Sequence, residues 1–330
     1  MKILITGASG FIGLNLTESL LQIGYTVVMV SRRPTPDAAV KALSSLPGRP
    51  IQAQMDIRDL SSVKRCFTKH RPDVVVHGAA ITPGRYKEKE WAREVLEINL
   101  MGTLAILEAV KELQGIRLIY LSSGAVYGAN AFKFDLLNEQ STPCQPESLY
   151  SISKYAAERL WLRSRHLWQL DALVARVGAI FGRWERDTGV REPLSPMLQT
   201  VDLLRQGKEV ILPRPGLRDW VYSRDCARAL TMLILDKHPG YSVYNISTGK
   251  SWSVADWCEG LAKRFPNFNY RIASGKEKGN INFHGPKDRN PLCVDRLFKD
   301  LNFRPKFNLD ESLKDYLTWR SDITGYLEGA

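Results

Sequence analysis

The first thirteen residues constrain this chain more than any other stretch. Lys2-Ile-Leu-Ile-Thr6 is an apolar run of strand length, and it meets Gly7-Ala-Ser-Gly10-Phe-Ile-Gly13, three glycines at a spacing of three. A helical pattern (Phe11, Ile12, Leu16, Leu20, Leu21) begins at once, so the order is strand, tight turn, helix. Glycine lets a ligand approach the main chain. Free backbone N–H groups and the positive end of the helix dipole converge at the same point, and the place suits a phosphate. The glycine spacing alone is a weak signal. Its position, directly after a strand and opening a helix, is the context that a dinucleotide-binding fingerprint requires. On this reading Gly7, Ser9, Gly10, Phe11, Ile12 and Gly13 face the dinucleotide.

The chain then repeats the strand–helix pattern. Tyr25-Thr-Val-Val-Met-Val30 is a short buried strand ending in Ser31-Arg32-Arg33. The residue about twenty positions beyond the glycines faces the adenosine ribose, where a carboxylate would repel a 2′-phosphate. Here a serine and two arginines stand there, so the expected cofactor is NADP(H) in preference to NAD(H), with Arg32 and then Arg33 on the phosphate. The strand Ile51–Met55 ends in Asp56-Ile57-Arg58-Asp59, where Asp56 suits the adenine amino group and Asp59 an N-cap. Pro72–His77 is the fourth strand, His77 reading as a packed strand-end histidine, and Ala79 and Ala80 after it are small enough to lie against a cofactor. One long helix is expected over about Lys87–Leu113, with Asn99 inside it. Strands at Ile116–Leu121 and Ala172–Val177 flank a helix from Tyr150 to about Trp168. The pattern predicts an α/β fold, a Rossmann-type doubly wound parallel sheet with a smaller C-terminal α+β lobe. The expected division is 1–178 with about 217–246 for the dinucleotide-binding domain, and 179–216 with 247–330 for the substrate lobe.

Composition narrows the function. The 330 residues suffice for one large domain with a lobe, or for two domains. The opening apolar run is too short for a signal peptide, and no run approaches a membrane span. Five scattered cysteines without a CxxC pair argue for a reduced cytoplasm and against a disulfide framework or zinc site. The histidines, His77 and His284 among them, lack metal-ligand spacing. A net charge of +11 suggests nucleic acid, but the cations form no basic block or aromatic–basic pattern, so an anionic small molecule fits better.

Tyr150 and Lys154 are four apart and share a helix face. Phenols are poor bases near neutrality, but a nearby ammonium favours the phenolate. Tyr150 therefore suits a general acid/base for a secondary alcohol or ketone, with Lys154 tuning it and reaching the nicotinamide ribose.

At this point the chain resembles the extended short-chain dehydrogenase/reductase family, also called the NAD-dependent epimerase/dehydratase family. The stretches that carry the resemblance include Thr6-Gly-x-x-Gly-Phe-Ile-Gly13, Asp56-Ile-Arg-Asp59, His77-Gly-Ala-Ala80, Asn99-Leu-Met-Gly-Thr103, Leu121-Ser-Ser-Gly-Ala-Val-Tyr-Gly128, Tyr150-Ser-Ile-Ser-Lys154, Arg218-Asp-Trp-Val-Tyr-Ser-Arg-Asp225 and Tyr244-Asn-Ile-Ser-Thr-Gly249. The resemblance implies that Ser123 hydrogen-bonds the reacting oxygen, Tyr150 is the acid/base and Lys154 its partner, that Asn99 is at once a candidate brace and a cofactor contact, and that the chain forms a homodimer. Family dehydratases carry an Asp-Glu pair after the position of Ser123, and Gly124-Ala125 stands there, which argues against dehydration. Nucleotide-sugar binders usually carry asparagine where this chain has Ala179. Arg218 and Arg289 match cationic substrate positions, and Thr82, Gly178, Ala179, Arg183 and Arg186 complete the expected substrate set.

The expectation is an NADP(H)-dependent oxidoreductase acting on a secondary alcohol or ketone of a sugar, sugar acid or sugar nucleotide, the substrate being anionic. A sugar 4-epimerase is the alternative, and a non-catalytic NADP-binding sensor the third reading.

Overall fold

The computed structural model describes residues 1–327 except Arg85, Glu112, Gln114 and His284, with side chains described through Arg320. The N-terminal part runs β1 (Lys2–Thr6), α1 (Phe11–Gln22), β2 (Thr26–Ser31), α2 (Asp37–Ser44), β3 (Arg49–Gln54), α3 (Leu60–His70) and β4 (Val74–His77). It continues through α4 (Lys87–Glu90), α5 (Ala92–Leu96), α6 (Gly102–Val110), β5 (Arg117–Ser123), α7 (Leu149–Leu167) and β6 (Asp171–Val177). The C-terminal part holds β7 (Ala179–Phe181), α8 (Pro196–Arg205), β8 (Val210–Leu212), β9 (Leu217–Arg218), β10 (Trp220–Tyr222), α9 (Ser223–Leu235) and β11 (Val243–Ile246). It ends with β12 (Trp252–Ser253), α10 (Val254–Ala262), β13 (Tyr270–Ile272), α11 (Asp295–Leu301) and α12 (Leu309–Leu327).

Seven strands form one sheet in the order β11-β6-β5-β4-β1-β2-β3, every pair parallel. This is the Rossmann arrangement predicted from the sequence, and the order reverses between β1 and β4. Both faces of the sheet are covered, so its strands are continuous apolar runs rather than alternating ones. Ile3 and Ile5 point with Val27, Met29, Val74 and Val76 into a core built with α1 and α9, while Leu4, Val28 and Val75 point into the opposite core with α3, α6 and Trp161 of α7. β11 adds to β6 at the edge of the sheet, although it lies far downstream in sequence. In the C-terminal part, three two-stranded ladders pair β7 with β10, β9 with β12 and β8 with β13. Phe181, Tyr222 and Trp257 are packed there with ring centroids 5.3 to 5.5 Å apart.

The long helix expected over Lys87–Leu113 is broken into α4, α5 and α6, with a π turn at Glu97–Met101 between the last two. The wider turn swings Asn99 inward. It also sets Gly102 so close to Ile57 that an added Cβ would lie 2.6 Å from Ile57 Cδ1. Periodicity alone could not show the break, because residues on either side stay helical.

Gly128 lies in the 3₁₀ segment Gly124–Phe132 with φ 52° and ψ −123°, where an added Cβ would fall 1.7 Å from the Gln145 carbonyl oxygen. Gly207 also has a positive φ, 64°, but meets nothing within 4 Å. Gly207→Ala should therefore cost only backbone strain, about 1 kcal/mol, and Gly128→Ala several times as much. Unfolding midpoints in urea test this, and equal losses for the two variants would contradict it.

Candidate active site

At the carboxyl ends of the sheet strands opens a cleft of about 1360 Å³. That exceeds the roughly 300–1,000 Å³ of a site for one drug-sized ligand, leaving room for a dinucleotide and a second molecule. The glycine turn forms its floor. At Gly7, φ is +71° and a Cβ would stand 2.9 Å from the Cα and N of Ala79; at Gly13 it would stand 2.4 Å from the Gly7 carbonyl. The bare backbone is thus a packing requirement, and it leaves the cradle that a dinucleotide diphosphate needs. Gly7, Ser9, Gly10, Phe11, Ile12 and Gly13 all line the cleft, as do Asp56, Ile57, Ala79 and Ala80.

Ser31, Arg32 and Arg33 line it at the end of β2. Ser31 Oγ donates to the Arg33 carbonyl at 2.6 Å and Gln54 Nε2 donates to the Arg32 carbonyl at 3.1 Å, which fixes the backbone and leaves the Arg32 side chain exposed. Asp56 is held by Arg58 at 2.6 Å, and that guanidinium keeps its carboxyl below the usual range. Asp59 caps α3 by accepting from Ser61 N, as its sequence context predicts.

His77 is a buried brace. Thr103 Oγ1 donates to the Asn99 carbonyl at 2.7 Å, so it accepts from His77 Nε2 at 3.0 Å, and His77 Nδ1 accepts from Thr6 Oγ1 at 2.7 Å. The ring stacks on Trp161 at 5.8 Å, and burial, with the Lys154 charge adding to it, pushes its pKa down to about 3.

The catalytic candidates converge across the cleft. A capping box between Ser148 and Ser151 starts α7 and aims Tyr150 and Lys154 from its first turns into the cleft. Lys154 is 3% exposed, its Nζ 4.2 Å from the centroid of the Tyr120 ring. Burial pulls its pKa down to about 7 against the opposing pull of Glu158. Ser123 ends β5 on the same wall, its Oγ accepting from Ala125 N at 3.1 Å. Ser122 is structural, donating to buried Glu158 at 2.8 Å.

Two expected contacts fall elsewhere. Asn99 is outside the cleft lining and 1% exposed; it bonds both the N–H and the carbonyl of Ile81 and donates to Ser153 Oγ, bracing the loop after β4 against α7. Arg183 is turned away onto Asp315, at 2.5 and 2.8 Å, because Gly182 with φ 130° and Trp184 with φ 65° reverse the chain on either side of it. Thr82, Gly178, Ala179, Arg186, Arg218 and Arg289 do line the cleft. Burial lowers the pKa of Arg218 to about 9, with repulsion from Arg289 adding to the effect. The sequence reading missed the rim: Thr82 N donates to the Val190 carbonyl at 2.7 Å and Glu192 N to the Thr82 carbonyl at 2.8 Å, so 190–192 bridges to the loop after β4. A long-range pairing of two irregular loops leaves no periodic signal. His284 lies outside the described residues.

The profile of the NAD dependent epimerase/dehydratase family matches residues 3–247. The chain belongs to that family. A UDP-glucose 4-epimerase 2 of Oryza sativa subsp. japonica is 29% identical over 97% of this chain and 81% of its own length. A dTDP-D-glucose 4,6-dehydratase of Homo sapiens is 26% identical over 96% of this chain and 89% of its own length. The solved structure of MoeE5 in complex with UDP-glucuronic acid and NAD superposes with a TM-score of 0.78 at 26% identity, covering 98% of this chain and 99% of that one. The family fold thus carries enzymes of sugar-nucleotide chemistry. The expectation against dehydration is contradicted by this comparison, since a relative matched along nearly the whole chain is a dehydratase. No helix among the described residues is long and apolar enough to cross a membrane.

His77 should remain neutral, with the proton on Nε2, from pH 8 to pH 5. Imidazole NMR shifts check this, and a titration centred near 6.5 would contradict it. The sign for stability follows: the folded pKa of about 3 lies below the unfolded 6.5. As pH falls through that window the unfolded chain binds a proton that the folded one does not, so this group removes stability with acidification.

Proposed function

We propose that this protein moves hydride between NADP(H) and a secondary alcohol or ketone carbon of a sugar nucleotide, with Tyr150 as general acid/base. The observation that supports the reading is that Ser123, Tyr150 and Lys154 line the same cleft as the glycine turn. The bound nicotinamide supplies the hydride chemistry. Tyr150 then takes or gives the proton of the reacting oxygen while the Ser123 hydroxyl holds that oxygen in line. Lys154, buried one helical turn beyond Tyr150, would lend its positive charge as the proton leaves.

Arg32, exposed at the end of β2 and beside no carboxylate of that strand, would hold the 2′-phosphate, with Arg33 behind it. Arg218 and Arg289, both lining the cleft, would take the anionic end of the substrate, and Thr82, Gly178 and Ala179 its sugar. On the division expected from the sequence, Ala179 and Arg289 come from the lobe formed by 179–216 and 247–330, and Thr82, Gly178 and Arg218 from the dinucleotide-binding domain. The name of the rice relative supports the second reading, a 4-epimerase that keeps its cofactor and returns the hydride to the opposite face. Exposed Met101 and Ile152 beside the π turn and on α7 fit the homodimer we propose.

A reductase oxidises added NADPH in step with turnover of a keto-sugar nucleotide, whereas an epimerase converts sugar with no net change at 340 nm. In either case Tyr150→Phe should lower kcat by about 10²–10⁴-fold with dinucleotide affinity preserved. An unchanged rate would remove Tyr150 from the chemistry, and a wild type that binds the dinucleotide without converting any keto-sugar nucleotide or sugar nucleotide would support the non-catalytic reading.

For the cofactor, NADP⁺ should bind more tightly than NAD⁺ in titrations of the apoprotein, and Arg32→Asp should reverse the order. Equal affinities in the wild type would sink the assignment.

A further inference from the structure

We infer that Arg186 is a cofactor clamp, its guanidinium donating to the diphosphate of the bound dinucleotide from a strap that crosses the glycine turn. The inference rests on the dinucleotide site proposed above and moves Arg186 from the substrate set to the cofactor set.

The strap is the segment 183–193, and its side chains are tied down on both sides of Arg186. Arg183 is paired with Asp315, and Trp184 Nε1 donates to Glu18 of α1 at 2.6 Å. Glu185, fully buried, accepts from Arg191 Nη1 at 2.5 Å, from Ser195 N at 2.8 Å and from Ser195 Oγ at 2.5 Å. Lys87 reaches up to Glu192, and the backbone of 190–192 is joined to Thr82.

Arg186 is the exception within this tied segment. Its Nη2 donates to the Ser9 carbonyl at 3.2 Å, and its Nη1 is buried with no hydrogen-bond partner among the described residues. Burial lowers its pKa, and no carboxylate acts to restore it. A half-buried guanidinium with one nitrogen left unpaired gains from an anion that completes the site.

The identity of that anion follows from where the guanidinium is anchored. Ser9 lies inside the glycine turn, and the strap touches the same element again where the Arg191 guanidinium sits 5.0 Å from the Phe11 ring centroid. Arg186 thus stands over the backbone cradle and the positive end of α1, where a diphosphate meets converging N–H groups. Arg218 feels the charge of Arg289, whereas burial is the cause acting on Arg186. A fork of N–H donors suits two oxygens of a diphosphate.

The experiment titrates NADP⁺, NAD⁺ and UDP-glucuronic acid into wild type, Arg186→Gln and Arg186→Lys, following tryptophan fluorescence of the apoproteins, with unfolding midpoints recorded to show that each variant is folded. The Gln variant should lose about 10- to 100-fold in affinity for both dinucleotides alike, the worth of a charge-assisted hydrogen bond, and the Lys variant should recover part of it. Affinity for UDP-glucuronic acid should stay within about twofold. Unchanged dinucleotide affinity overturns the inference. So does a loss confined to NADP⁺, which would place Arg186 on the 2′-phosphate, or a loss confined to UDP-glucuronic acid, which would return it to the substrate. A wild type that binds neither dinucleotide would instead defeat the cofactor site itself, an outcome these variants cannot mimic.

Discussion

Thr6 Oγ1 is the atom on which the site depends. Parallel strands that part company leave backbone N–H groups without ladder partners, and the sheet parts between β1 and β4 to make its crevice. Thr6, the last residue of β1, accepts from Gly78 N and Ala79 N at 3.2 Å each and donates to His77 Nδ1. Gly78 N also reaches the Thr6 carbonyl at 3.2 Å, so the hydroxyl's own part is to take up Ala79 N and pin the loop beneath the glycine turn. His77 passes the constraint on through Thr103 and the Asn99 carbonyl to the π turn, and Asn99 carries it to Ile81 and Ser153. The loop after β4 and the first turns of α7 thus hang on one chain of buried hydrogen bonds.

A second buried set governs the charge on Lys154. Glu158, one helical turn beyond it, is wholly buried and paired with Arg176 at 2.6 and 3.1 Å while accepting from Ser122. The pairing is complete enough to keep a carboxylate ionised in the core. The Arg176 guanidinium takes up much of its field, so Glu158 offsets only part of the desolvation of Lys154. An ammonium whose pKa is pulled down to about 7 responds to its surroundings across the physiological range.

The sheet and its site were legible in the sequence to the extent that they are local. Apolar runs, the glycine turn and the four-residue spacing of Tyr150 and Lys154 are short-range signals, and each lies where its pattern predicts. His77 and Asp59 were readable for the same reason: strand end and helix start fix their roles. Asn99 was not, because whether it faces cofactor or core depends on the π turn that rotates it, and one extra residue in a helical turn leaves no mark in periodicity. The strap was silent too. Its contacts with Ser9, Phe11 and Thr82 join irregular segments remote in sequence, and no local propensity encodes them.

The positive charge shows the same limit most plainly. A total of +11 was visible at once, and it pointed towards an anionic ligand. Its allocation is a property of the fold. Arg183 and Arg224 share Asp315, Arg176 belongs to Glu158, Arg191 to Glu185 and Arg214 to Asp288. These guanidiniums are structural, and they include one expected at the substrate. Arg183 and Arg186 sit three residues apart in a cation-rich loop that sequence cannot divide. Between them Trp184, at φ 65°, turns the chain, so that one arginine finds a carboxylate and the other a bare carbonyl in the glycine turn. Electrostatics distinguishes them: a cation already neutralised has little to gain from a diphosphate, and one half-buried against a carbonyl has more.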